Sequence, residues 1–195
     1  MRPHDTFFEL QRLVVDLAFI ERHHHLIDSE RHENNIEHSF MVALLCWYIC
    51  SRHALELDLS KVLRYALAHD FVERYAGDTN TFASKKERAL KVEREKLAAK
   101  RLSDDFVDFQ DLVKIINDYE AKNDEEALFV WTVDKMQALV LGELDGWRPY
   151  QKLEISYDQF ADKYHELIAS ASLHCKEIFS TLVEYCKTTY YDRPG

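Results

Sequence analysis

A chain of 195 residues with a hydrophobic fraction of 47% and an aromatic fraction of 12% is not disordered, and suits one hydrophobic core with no linker-joined second one. Its formal charge of −10 argues against a nucleic-acid polymer as partner, because that affinity needs a basic face, whereas a small nucleotide needs only a few local Arg or Lys groups. Four glycines and three prolines, the latter at Pro3, Pro149 and Pro194, are too few to punctuate a hairpin-rich fold. The expected class is all-α, a compact single-domain helical bundle over residues 1–195.

Residues 1–8 lack a basic segment followed by an apolar run. No window reaches the roughly 18 uncharged apolar residues of a membrane span, so a cytoplasmic protein without a membrane partner is expected. From Thr6 to about Glu21, Phe7, Leu10, Leu13, Val14, Leu17 and Ala18 recur at helical steps. Residues 22–35, RHHHLIDSERHENN, are polar and irregular and predict a loop rich in charge and imidazole.

A second helix is expected from Ile36 to about Ala54, capped by Asn34 or Asn35, with His38 on the stripe of Val42, Leu45, Cys46 and Ile49. A third runs from a Ser60 cap to Gly77, which suits the left-handed position after a helix end. A loop, GDTNTFAS, leads to a densely charged surface helix over about 85–102. Further helices are expected over about 104–120, 124–144 and 157–190. Cys46, Cys50, Cys175 and Cys186 form no CxxC pair and read as buried thiols.

Asp134 interrupts the apolar run ALFVWTVDKMQALVL, with Val130, Trp131 and Ala138 one turn away. A carboxylate there faces the core and needs a cation, either a basic side chain or a metal. His69 and Asp70 pose the same problem in YALAHDFV, and His38 repeats it beside Val42 and Leu45. A lone inward His is more often a hydrogen-bonded core residue than a ligand, and a lone inward Asp usually salt-bridges or caps. Four such groups from three helices, however, would be compensated together by one buried divalent cation.

The segments EHSFMVALLCWYI, YALAHDFVERYAGDT and VDKMQAL together resemble the HD-domain superfamily and, within it, the bacterial 5′-deoxynucleotidase branch, over about residues 7–150. Residues 151–195 would be a C-terminal helical extension. The resemblance implies His38, His69, Asp70 and Asp134 as ligands of one divalent metal. Imidazole plus carboxylate suits Mn, Co, Fe or Zn. It implies Glu73 and Asp78 as the acidic groups after the HD pair, with Glu73 placed for proton transfer and Asp78 for the sugar or the proton. The plainer reading of Glu73 is a surface pair with Arg74 or Arg22.

Arg22 stands where that branch holds the phosphate, and Arg31 is a second candidate in the same segment. The branch follows its Arg with Trp, whereas Arg22 is followed by His23, so the aromatic that helps select a 2′-deoxy sugar is altered. Lys135 is either a further phosphate contact or a solvated flank.

The implied activity is metal-dependent hydrolysis of a small phosphate substrate, foremost a nucleoside 5′-monophosphate. A nucleoside triphosphate, an alarmone or a non-nucleotide phosphate is the alternative, although alarmone hydrolases show HDxxED where this chain has HDFVER. A third reading is a non-catalytic metal-bearing module. In either class a homodimer is compatible, with Leu167, Leu173, Phe179, Leu182 and Tyr185 of the last helix packing on a second copy or on their own core.

Overall fold

Helix α1 spans Pro3–Ala18 and buries Leu13 and Leu17, one turn apart, against α2 (Asn35–His53). Residues 3–77, 82 and 85–191 of the computed structural model are described below. Asn34 caps α2 by accepting from the Ile36 and Glu37 amides, while the Glu37 side chain accepts from the Asn34 amide, so this box fixes the helix start. Helix α3 (Leu59–Ala68) is capped by Asp58 rather than Ser60, α4 is the single turn Glu73–Ala76, and α5 (Lys85–Asp105) is the charged surface helix.

Then come α6 (Gln110–Ala121), α7 (Glu125–Leu144, capped by Asp124), α8 (Arg148–Lys152), α9 (Tyr157–Ala169) and α10 (Lys176–Tyr191). The all-α class is as expected. Helix α7 is the central element, packing against α2, α3, α6 and α10. No helix among the described residues is long and apolar enough to cross a membrane.

Three expectations need correction. The segment expected as a loop is an antiparallel hairpin, β1 (Glu21–His25) and β2 (His32–Asn34), in which Glu21 pairs with Asn34 and His25 with His32. Main-chain bonds and a 4.1 Å stacking of the His25 and His32 rings hold it, with no apolar alternation to announce it.

The expected third helix breaks at His69. The bonds Phe71 N–Ala68 O and Glu73 N–Asp70 O are of the tighter three-residue kind and turn the chain before α4. Gly77 ends α4 at φ 72° and ψ 158°, a region that glycine tolerates but not the left-handed helical cap expected.

The expected last helix is divided into α9 and α10. Between them the Ser172 amide donates to Thr132 Oγ1 at 2.9 Å, taking the chain out of helical register. In this part of the molecule Trp147, Phe160 and Phe179 are fully buried, and Tyr150 and Tyr164 join hydroxyls at 2.8 Å. Gly142 allows the approach of Trp147, since a Cβ there would lie 2.9 Å from the indole. Leu167 and Phe179 are committed to this core, while Leu173 and Tyr185 are exposed. All four cysteines are free and buried.

Candidate metal centre

The break after α3 has a direct consequence: His69 and Asp70 leave the helix and turn toward α2 and α7, where His38 and Asp134 lie. One donor atom each of His38, His69 and Asp134 falls within 4.8 Å of the other two, and all three residues are buried. His38 Nε2 is 3.0 Å from Asp134 Oδ1. Asp70 borders this trio, its Oδ2 lying 3.2 Å from His69 Nε2 and 3.6 Å from His38 Nε2. Donors held at about 2.1 Å from one ion lie roughly 3 Å apart, so these spacings suit one coordination sphere.

The imidazole tautomers can be read from their outer contacts. His69 Nδ1 lies 2.9 Å from the Ala66 carbonyl, which can only accept, so Nδ1 carries the proton and Nε2 presents a lone pair. That Nε2 is buried without a hydrogen-bond partner among the described residues. His38 Nδ1 lies 3.0 Å from Gln137 Oε1, and the Gln137 amide in turn donates to Glu33 at 2.7 Å, which turns its oxygen toward His38. Both rings therefore aim Nε2 at the same space, as outer contacts do for metal-ligating histidines.

The acidic surroundings of the two rings show in the electrostatics. Burial and Arg22 push the His38 imidazole toward neutrality, but the hydrogen bonds it donates to Asp134 and Glu33 outweigh them and hold its pKa up at about 9. Burial would raise the Asp70 pKa, yet His69 and Arg22 hold the carboxyl well below the usual range. Against the same burial, Lys135 and His38 do this for Asp134. Two ionised carboxylates, Asp70 and Asp134, thus lie beside two histidines in a largely buried space. The residues fit a divalent cation: the nitrogen and oxygen donors are those of a borderline metal, and an orphaned imidazole nitrogen faces the trio.

Of the other sequence candidates, Arg22 reaches the centre from β1, donating to Asp70 Oδ2 at 2.8 Å and lying 3.6 Å from Glu33 and 3.8 Å from Glu73. Lys135 lies 2.6 Å from Asp134 Oδ2, beside the trio. Glu73 is buried, not a surface ion pair, and accepts from Asn35 Nδ2 at 2.6 Å. His23 is exposed on β1, and Asp78 lies outside the described residues. Arg31 is not brought in: its guanidinium forms a forked pair with Glu37 at 2.7 and 2.9 Å.

Three residues that the sequence reading passed over complete the centre: Glu33, Asn35 and Gln137, all buried, with Gln137 bridging His38 and Glu33, and Asn35 bridging Arg22 and Glu73. A groove of about 630 Å³ opens between α5 and α6, lined in part by Glu95, Asn117, Glu120 and Lys122. Lys91 links it to the centre, lying 3.3 Å from Glu95 and 4.0 Å from Glu73.

Comparison with known proteins agrees with this geometry. The crystal structure of a predicted metal-dependent phosphohydrolase from Magnetospirillum magnetotacticum MS-1 is similar at a TM-score of 0.75 and 27% identity, covering 96% of this chain and 98% of that one. A Pyrococcus horikoshii OT3 protein (TM-score 0.65, 91% and 98% covered) and a conserved hypothetical protein from Pyrococcus furiosus (0.63, 91% and 99%) share the fold at 20% identity. No curated protein matches the sequence. The model of the HD domain family matches residues 14–174, most of the chain and all four ligand candidates, and the chain belongs to that family.

Proposed function

We propose that this protein is a metal-dependent phosphohydrolase that cleaves the phosphomonoester of nucleoside 5′-monophosphates, deoxy or ribo, to nucleoside and phosphate. The observation that carries the reading is the convergence of His38, His69 and Asp134 within 4.8 Å, with Asp70 beside them and Arg22 at its rim. The likeness to the Magnetospirillum phosphohydrolase supports the reaction class. A divalent cation bound there supplies a Lewis acid and neutralises charge developing on a phosphoryl group.

The chain's own residues do the rest. Arg22 and Lys135, both partly accessible and both now on carboxylates, can exchange those partners for phosphate oxygens, Arg22 as a forked donor. Glu73 is held by Asn35, so its carboxylate stays oriented while it takes or returns a proton. The nucleoside half lies in the groove between α5 and α6, where Glu95, Asn117 and Glu120 offer hydrogen-bond partners beside the apolar Val92 and Ala99.

The test is phosphate release from a panel of ribo- and deoxyribonucleotides with Mn²⁺, Co²⁺, Fe²⁺ or Zn²⁺ added in turn. The native protein should turn over monophosphates with at least one of these metals, and Asp70→Ala should not. Equal activity of both proteins, or pyrophosphate as the product, would refute the proposal.

A further inference from the structure

Most helices on a protein surface turn charge outward, as α5 does. Helix α2 does the opposite. Its inner face carries His38, Val42, Cys46 and Ile49, all buried, while its outer face presents Phe40 (66% exposed), Leu44 (52%), Trp47 (55%) and Tyr48 (62%). Between Glu37 and Arg52 the helix contains no Asp, Glu, Lys or Arg. The outer stripe is thus about three turns of apolar surface in a chain of charge −10.

We infer that this stripe is the centre of a two-fold interface between two copies of the chain. The spacing is self-complementary. Phe40 and Tyr48 stand four residues either side of Leu44, so two α2 helices crossing antiparallel at Leu44 set each Phe40 against Tyr48 or Trp47 of the second copy. Opposed helix dipoles are then side by side, and the acidic first turn at Glu37 faces the basic last turn at Arg52 and His53. Two chains of like charge can approach most closely where neither carries any.

The area agrees. With a large aromatic side chain exposing on the order of 100 Å² at these fractions, the α2 stripe presents roughly 400 Å², already large for a monomer patch. Helix α1, packed against α2, exposes Phe8 and Val15, with Phe19 just past its end, so a neighbouring element adds apolar surface toward the roughly 800 Å² per partner of a standard interface. The segment expected as the last helix, which from sequence could pack on a second copy or on its own core, is less suited, because Leu167 and Phe179 are already buried in their own core.

Sedimentation velocity on the full-length, metal-loaded protein should give a mass twice 23.1 kDa across the micromolar range. Leu44→Glu places two carboxylates on the axis and should halve the mass with an unchanged far-ultraviolet circular dichroism spectrum. Mixing Leu44→Glu with Leu44→Lys should restore the dimer. Leu44→Cys should cross-link under mild oxidation, since the two copies of position 44 meet; this variant decides the matter if the charged one does not fold. A monomeric native protein, a dimer that Leu44→Glu leaves intact, or a cysteine variant that fails to cross-link would each overturn the inference.

Discussion

Helix α7 has two halves that bury side chains by opposite means. Around Asp134 and Gln137 the buried groups are polar, and each is satisfied only through a neighbour: Glu33 through Gln137, His38 through Gln137 and Asp134, Glu73 through Asn35. Two turns on, Gly142 packs against Trp147 in the aromatic cluster of Trp147, Tyr150, Phe160 and Tyr190, where the indole N–H finds Glu143 and the Tyr150 hydroxyl finds Tyr164. The first half stores unfavourable desolvation that a bound cation relieves; the second supplies favourable burial that holds the first in place. Substitutions in the two halves should therefore be read out by different instruments.

The largest effect belongs to the polar half. Asp134→Asn keeps the shape but removes a charge from the trio. Several kcal/mol of transition-state stabilisation would be lost, a fall in phosphate release of roughly 1000-fold or more. Elemental analysis of the same variant should show the metal content falling with the activity. Full metal content in a dead enzyme would reassign Asp134 from ligand to catalyst.

Trp147→Ala is the mirror experiment. The indole is fully buried against Tyr150, Phe160 and Tyr190, so its removal should cost about 3–5 kcal/mol of stability in a denaturant titration. Metal bound per folded molecule should stay the same. A loss of metal from the folded fraction would mean that the two halves are not separable.

Adding the preferred metal should couple them in one direction only. At a hundred times its dissociation constant a ligand stabilises by about 2.7 kcal/mol, roughly 5–10 °C in melting temperature at this chain length. Calorimetry with and without chelator should show that shift in the native protein and an equal one in Trp147→Ala. Its absence in Asp134→Asn would complete the contrast. Smaller still is Gln137→Met, which takes the oxygen from His38 Nδ1 and the amide from Glu33; metal affinity should drop about 10- to 100-fold, measured by competition with a chelating dye.

The two halves also differ in how much of them the sequence discloses. His38, His69, Asp70 and Asp134 are legible because each is a charge or imidazole inside an apolar helical run, a placement that burial makes costly unless something compensates it. Glu33, Asn35 and Gln137 carry no such contrast: the first two sit in a polar stretch, and an amide in a helix is ordinary until its partner is known. The same polar stretch hides the hairpin, which has no period-two pattern to reveal it. The turn at His69 is hidden for the opposite reason, since YALAHDFVERYA keeps helical spacing throughout and has no Gly or Pro before Gly77. The break between α9 and α10 depends on Thr132, forty residues away in sequence, and no local signal reports it.

Arg31 marks the outer limit of the polar half and carries the smallest prediction. In the sequence it is the second phosphate candidate, after Arg22. The two differ in what they hold. Arg22 is mostly buried and bonded to Asp70, so a phosphate arriving there gains a forked donor already within the centre. Arg31 is more than half exposed and bridges to Glu37, the residue that closes the α2 capping box. Its pKa is raised by that hydrogen bond, against a little burial. Arg31→Ala should leave kcat and KM unchanged and barely move the denaturation midpoint, since only an exposed pair is lost and the Glu37 to Asn34 bond remains. A tenfold rise in KM in that variant, with Glu37→Gln unaffected, would bring Arg31 into the substrate site and extend the polar half to the hairpin tip.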